Sequence, residues 1–134
     1  MTALPLHIST WRILIVDDDV SMANALQRLL ILEKMYTVRV LNEGSNINQK
    51  IREWEPHLVV IDVKMRGIDG FDVCSQIRQE PKNDKIRIIA ISGTVDEADA
   101  KKMLEIGADA YFEKPFNNKE LCMEIIRLLT AEHL

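Results

Sequence analysis

Five short apolar runs, placed at regular intervals, are the feature that most constrains the fold of this chain. They lie at residues 12–16, 36–41, 58–61, 86–91 and 108–112, and successive runs start 22 to 28 residues apart. Three of them contain four consecutive apolar residues, at 13–16, 58–61 and 88–91. Such stretches are typical of strands that are buried on both faces of a parallel sheet. The chain is therefore predicted to have an α/β fold.

Segments with helical spacing separate these runs. Ile47 and Ile51 lie four residues apart on one helix face, and Leu121, Ile125 and Leu128 continue the same spacing near the C-terminus. The alternation predicts five βα units in a doubly wound parallel sheet, because each parallel crossover is right-handed and is covered by a helix. We expect helices on both faces of this sheet.

The charge of the chain argues against one functional class. It carries 17 Lys and Arg against 21 Asp and Glu, a net charge of −4, and its basic residues form no cluster or stripe. A nucleic-acid-binding surface is therefore not expected. Residues 1–10 are interpreted as an N-terminal extension and residues 11–134 as a single domain.

No segment of the sequence predicts secretion or a membrane span. The longest apolar runs have four residues, and the N-terminus lacks the basic and apolar regions of a signal peptide. Cys74 and Cys122 are far apart, without metal-ligand spacing, and are predicted to be buried thiols. These features indicate a reducing, cytoplasmic location.

Polar side chains follow four of the five predicted strands. In chain order they are Asp17, Asp18, Asp19, Asp62, Ser92 and Lys114. The carboxyl ends of parallel strands lie at one edge of a doubly wound sheet, and such folds bind their ligands there. These side chains are therefore expected to converge at that edge.

A cluster of Asp17, Asp18 and Asp62 needs a compensating charge, because neighbouring carboxylates disfavour one another's ionisation. Mg²⁺ prefers oxygen ligands, and one such ion together with Lys114 balances three negative charges. A neutral cluster of this kind suits phosphoryl transfer, in which an Asp carboxylate can be the nucleophile. The sequence therefore predicts a magnesium site with phosphoryl-transfer chemistry.

Four motifs carry a family resemblance. They are ILIVDDD at 13–19, LVVIDVKMRGIDG at 58–70, IIAISG at 88–93 and YFEKPF at 111–116. With these motifs in this order, residues 11–133 resemble the response-regulator receiver domains of two-component signalling. The resemblance implies a flavodoxin-like (βα)5 fold whose five parallel strands are ordered 2-1-3-4-5.

The resemblance also implies roles for the acidic residues. Asp62 would be the phospho-acceptor, and Asp18 and Asp62 would ligate Mg²⁺ directly. Asp17 would act mostly through water, and the backbone carbonyl of Lys64 would complete the protein ligands. Such a domain is not an enzyme with separate substrates, since it catalyses only its own phosphorylation and dephosphorylation.

A switch is implied in the same way. Ser92 would hydrogen-bond to the phosphoryl group, and Lys114 would pair with another of its oxygens. Tyr111 stands at the family's switch aromatic and would turn inward, which would alter the face formed by the fourth helix, fifth strand and fifth helix, here called the switch face. Pro115 resembles the proline that follows a cis peptide bond in this family.

The resemblance implies partners as well. The phosphoryl donor would be a histidine kinase or a phosphotransfer protein, and the signal would pass to an output domain or a target protein. Direct contact of this domain with nucleic acid or with a membrane is not expected. A phosphorylation-linked homodimer through the switch face is expected.

Two positions depart from the family's usual pattern. Arg66 stands four residues after the acceptor, where proline is usual. Lys64 occupies a variable position beside the acceptor, and we predict that its side chain interacts with the phosphoryl group or with incoming water.

Two other hypotheses stay open. The stretch IVDDDVS loosely fits haloacid-dehalogenase-like phosphohydrolases, in which Asp17 would be the nucleophile and Asp19 the general acid. That hypothesis leaves Asp62 without a role, and Asp19 also suits a helix N-cap. The other is a degenerate receiver that binds partners without being phosphorylated, although the acceptor, the acids, the hydroxyl and the lysine are all present.

Overall fold

The five apolar runs form one parallel sheet in the computed structural model, which describes residues 10–93 and 96–131. Its strands are β1 (Trp11–Val16), β2 (Tyr36–Leu41), β3 (Leu58–Asp62), β4 (Arg87–Ser92) and β5 (Ala110–Glu113). They are ordered β2-β1-β3-β4-β5, which confirms the predicted doubly wound topology. Residues 1–9 of the predicted extension and residues 132–134 lie outside the described part of the chain.

Five α-helices connect or follow the strands. They are α1 (Val20–Ile31), α2 (Ile47–Trp54), α3 (Gly70–Gln79), α4 (Glu97–Ile106) and α5 (Asn118–Thr130), and a short 3-10 turn covers Pro81–Asn83. Asp19 and Asn117 are N-caps whose side chains accept backbone N–H groups of α1 and α5. The cap at Asp19 agrees with the sequence, in which this residue suits a helix N-cap. None of these helices is long and apolar enough to cross a membrane.

The core lies on both faces of the sheet. Ile13 and Ile15 face a cluster under α1 and α5, whereas Leu14 and Val16 face a cluster under α2, α3 and α4. All five residues of β3 are buried, because this central strand is covered on both sides. Continuous apolar runs are thus explained by burial of both strand faces.

The fifth strand begins later than predicted. The sequence suggested residues 108–112, but β5 is Ala110–Glu113. Ala108 donates its N–H to the Met103 carbonyl oxygen at 3.0 Å, so it still belongs to the end of α4. Gly107 permits this ending because its φ of +136° is accessible mainly to glycine.

The fourth strand is shifted by one residue from the predicted 86–91. Ile86 donates its N–H to the Asn83 carbonyl oxygen at 3.1 Å and therefore closes the preceding turn. Ser92 is consequently the last residue of β4, and not the first residue after it.

The two cysteines differ in burial, which corrects the prediction for one of them. Cys74 is fully buried in α3, whereas Cys122 is only half-buried in α5. Both are free thiols. Burial raises the pKa of Cys74 to about 11, so its thiol is protonated at neutral pH.

Candidate functional site

The parallel register brings the polar strand-end residues to one edge of the sheet. Val16 lies beside Ile61 in the parallel register. The residues that follow them, Asp17 and Asp62, therefore also lie side by side. Ser92 ends β4 one residue beyond the register partner of Asp62. Asp17, Asp62 and Ser92 are each at most 5% exposed, so their polar groups are buried at this edge.

Lys114 reaches the same edge from the end of β5. Its amide donates to the Ser92 carbonyl oxygen at 2.7 Å. Its Nζ lies 3.3 Å from Asp17 Oδ2 and 3.7 Å from Asp62 Oδ2. The Lys114–Pro115 peptide bond is cis, as the resemblance implied. The ammonium group therefore bridges two buried carboxylates.

Three carboxylates form a compact cluster at this edge. Asp17, Asp18 and Asp62 can each present one oxygen such that all three oxygens lie within 4.8 Å of one another. Asp18 is half-buried, so the cluster opens to solvent on its side. Three oxygen donors from carboxylates are the chemistry that hard divalent cations prefer, and the residues present fit Mg²⁺.

Backbone and amide donors hold these carboxylates in place. The Asp19 N–H donates to Asp17 Oδ1 at 2.9 Å, and the Lys64 N–H lies 3.4 Å from Asp62 Oδ1. Asn42 donates its side-chain N–H to the Asp17 carbonyl oxygen at 3.0 Å. Asn42 was not among the residues predicted from the sequence, although it is the first residue after β2 and polar residues at strand ends are expected near such a site.

The environment of Asp62 disfavours its negative charge. Burial raises the pKa of this carboxyl to about 6, and the negative charge of Asp17 contributes in the same direction. The Lys114 ammonium group opposes the rise without cancelling it. A carboxylate held in this way gains from any cation that enters the cluster.

Residues 13–126 match the family model of the response regulator receiver domain. This chain belongs to that family. The match includes Asp17, Asp18 and Asp62 as well as Ser92 and Lys114, so receiver membership and site geometry concern the same residues.

Similar proteins place the chain among response regulators. It is 38% identical over 114 residues to the DNA-binding response regulator MtrA of Mycolicibacterium smegmatis, which covers 85% of this chain and 48% of that protein. The chain thus spans about half the length of the curated relatives it matches. In MtrA of Mycolicibacterium paratuberculosis the identity is 37% over the same length.

Solved receiver structures share the fold. A signal receiver domain from Bermanella marisrubri superposes with a TM-score of 0.82 at 34% identity, covering 91% of this chain and all of that one. A protein from Chloroflexus aurantiacus assigned to the response regulators gives a TM-score of 0.86 at 31% identity, covering 92% and 100%. These likenesses and the family match do not favour the phosphohydrolase hypothesis, and Asp19, its general acid, accepts the Met22 N–H as a helix cap.

The side chain of Lys64 pairs with α4, whereas its backbone N–H faces the carboxylate cluster. Its Nζ lies 3.0 Å from Asp99 Oδ2, and this ion pair raises the pKa of the ammonium group. The predicted interaction of this side chain with a phosphoryl group stays a prediction. The ion pair connects the segment after Asp62 to the first turn of α4.

Tyr111 occupies the second position of β5 and is half-buried. Its ring packs against the cluster under α2, α3 and α4. Its hydroxyl oxygen is buried, and no described residue forms a hydrogen bond with it. An unpaired buried hydroxyl is a costly arrangement, which a change in ring position would relieve.

The raised pKa of Asp62 predicts that Asp62→Asn stabilises the metal-free receiver. Ionising Asp62 costs the folded state more than the unfolded chain, because the pKa is about 6 when folded and 3.8 otherwise. Near pH 4 the two proteins should have similar stability, and above about pH 6 the variant should be more stable by up to about 3 kcal/mol. Urea unfolding in EDTA across this pH range measures the difference.

Asp84→Asn is the matched control for this comparison, because Asp84 is exposed and far along the chain from the acids. Its stability relative to the parent should not change with pH in the same range. A stabilisation by Asp62→Asn that is as large at pH 4 as at pH 7.5 would show that the titration of Asp62 is not its cause.

Proposed function

We propose that this receiver is a phosphorylation-dependent signalling switch. Asp62 receives a phosphoryl group from a histidine kinase or a phosphotransfer protein, and the change is read on the switch face, now α4, β5 and α5. The convergence of Asp17, Asp18 and Asp62, with the Lys114 ammonium group beside Asp17 and Asp62, is the observation that supports this most directly. The cytoplasmic location predicted from the sequence stays a prediction.

Mg²⁺ is the cofactor that the donor set favours. Asp18 and Asp62 would bind it directly, Asp17 would act mostly through water, and the Lys64 carbonyl oxygen would supply a further ligand. When bound, the ion neutralises charge on the transferring phosphoryl oxygens. The ion would also add positive charge to a cluster in which Asp17 and Asp62 share one ammonium group.

In the transfer itself, the chain supplies the nucleophile and two stabilising groups. An Asp62 carboxylate oxygen attacks phosphorus, the bond from phosphorus to the donor nitrogen breaks, and an acyl phosphate forms. The Lys114 ammonium group, 3.7 Å from Asp62 Oδ2, is placed to pair with a phosphoryl oxygen. The Ser92 hydroxyl, buried at the end of β4, would hydrogen-bond to another.

The response would run through Ser92 and Tyr111. Movement of the Ser92 hydroxyl toward the phosphoryl group would leave space that the Tyr111 ring can fill. The buried Tyr111 hydroxyl without a described partner supports this role, because its present position is not stabilised by a hydrogen bond. Rotation of the ring would change the surface of β5 between α4 and α5.

The signal would be passed on by protein contact. An output domain or a target protein is the proposed recipient, and relatives such as MtrA, which is named as DNA-binding, suggest an output outside the receiver. Direct contact of this domain with nucleic acid or with a membrane is not part of the proposal. A homodimer formed through the switch face on phosphorylation is a second proposed consequence.

Labelling by a small phosphodonor tests the proposed function. With acetyl phosphate and MgCl₂, the intact mass of the protein should rise by one phosphoryl group, and hydroxylamine should remove it because acyl phosphates are cleaved by this nucleophile. EDTA in place of MgCl₂ should abolish the increase, because the carboxylates then lack the compensating charge. A protein that stays unlabelled with donor and Mg²⁺ present would support the degenerate receiver instead.

A further inference from the structure

Asp18 differs from the other two acids of the cluster in the positively charged residue with which it pairs. Its Oδ2 accepts the Arg66 backbone N–H at 3.0 Å, and the Arg66 Nε lies 3.4 Å from the same oxygen. Lys114, by contrast, pairs with Asp17 and Asp62. Each carboxylate of the cluster therefore already faces a positive group that belongs to the chain itself.

The Arg66 side chain is held at this position by little else. It is 94% exposed, whereas the Asp18 side chain is only 22% exposed. An exposed guanidinium group moves at small cost, because a surface ion pair contributes little to stability. The Arg66 side chain can therefore leave Asp18 without disturbing the core.

We propose that Arg66 is a built-in competitor of the divalent cation at Asp18. The guanidinium group contacts one carboxylate oxygen of Asp18, which is a proposed direct ligand. It must move away when Mg²⁺ binds, because two positive groups would otherwise lie within a few ångströms of each other. Arg66 is thus a positioning residue that lowers the cation affinity of the cluster. This inference rests on the proposed Mg²⁺ site and adds a residue that tunes it.

Titration of the protein with MgCl₂ by calorimetry tests the inference without any phosphodonor. Arg66→Gln keeps the backbone N–H and most of the side-chain length but removes the charge. We expect it to bind Mg²⁺ about two- to fivefold more tightly than the parent protein, the range that corresponds to a surface ion pair. Arg66→Lys keeps the charge and should restore affinity to within the parent's range.

Arg52→Gln is the matched control for net charge. Arg52 is exposed in the last turn of α2, which lies toward the opposite edge of the sheet from the acids. Its Mg²⁺ affinity should equal that of the parent. Equal tightening by Arg52→Gln and Arg66→Gln would show a general charge effect and overturn the proposal.

Two further outcomes separate this inference from the proposed function. If the parent binds Mg²⁺ and Arg66→Gln binds it equally or more weakly, the competitor role is wrong while the Mg²⁺ site stands. If neither protein binds Mg²⁺ at millimolar concentration, the proposed Mg²⁺ site fails, and the inference fails with it.

Discussion

Asp62→Asn is expected to abolish labelling by acetyl phosphate in the presence of Mg²⁺. The amide that replaces the carboxylate is not a nucleophile toward phosphorus. Asp17→Asn should keep the label at Asp62 but slow its formation by about 10- to 100-fold, as is typical for groups that act on a metal through an outer shell. Intact mass and peptide mapping of the labelled protein measure both results.

Asp84→Asn, at an exposed position, should label like the parent protein. The result that would contradict the receiver chemistry is a label that survives Asp62→Asn and is lost with Asp17→Asn. Such a pattern would identify Asp17, and not Asp62, as the nucleophile, as in the phosphohydrolase hypothesis. Beryllofluoride binding, followed with the same variants, distinguishes loss of the acceptor from loss of donor reactivity.

Gly70→Ala is expected to destabilise the fold and also to displace the backbone at Asp62. A Cβ at Gly70 would lie 2.5 Å from the Asp62 carbonyl oxygen and 2.6 Å from Val63 Cα. Both are backbone atoms, which cannot avoid the contact by a change of rotamer as a side chain could. Alanine is favoured over glycine in a helix by about 1 kcal/mol, but overpacking costs about 1–3 kcal/mol, and backbone contacts this short place the cost at the upper end. We therefore expect a net loss of about 2 kcal/mol.

Urea unfolding measures this loss, and Gly93→Ala supplies the matched control. A Cβ at Gly93 would meet no atom of the described residues within 4 Å, so the same substitution should leave stability nearly unchanged. The rate of labelling by acetyl phosphate should fall for Gly70→Ala and not for Gly93→Ala. Equal stabilities of the two variants would mean that α3 does not pack as closely against the end of β3 as the distances indicate.

The strand topology and the convergence of the acids could be predicted because both follow from short-range patterns. Burial on both faces makes a strand continuously apolar, and parallel pairing then places the strand ends at one edge. The proximity of Asp17, Asp62 and Lys114 could therefore be predicted from the sequence. The predicted start of β5 was wrong by two residues, because the Ala108 N–H forms a hydrogen bond with the Met103 carbonyl oxygen at the end of α4.

Contacts between loops could not be predicted, because they depend on where long side chains are directed. Lys64 was expected to act on the phosphoryl group, yet its ammonium group pairs with Asp99 on α4. The unusual presence of Arg66 was visible in the sequence, but its bond to Asp18 was not. Both contacts join residues more than 30 positions apart, beyond the reach of any helical or strand periodicity.

The burial of β3 has a consequence for how different parts of the chain open to solvent. A central strand whose five residues are all covered exposes its amides only when most of the sheet separates, so it belongs to the slowest-exchanging part of the molecule. The Asp62 carboxyl is therefore attached to the part of the backbone that is expected to fluctuate least. Lys64 and Lys114, which also contact this carboxyl, lie in less buried segments outside the strand, and we expect those segments to open more often.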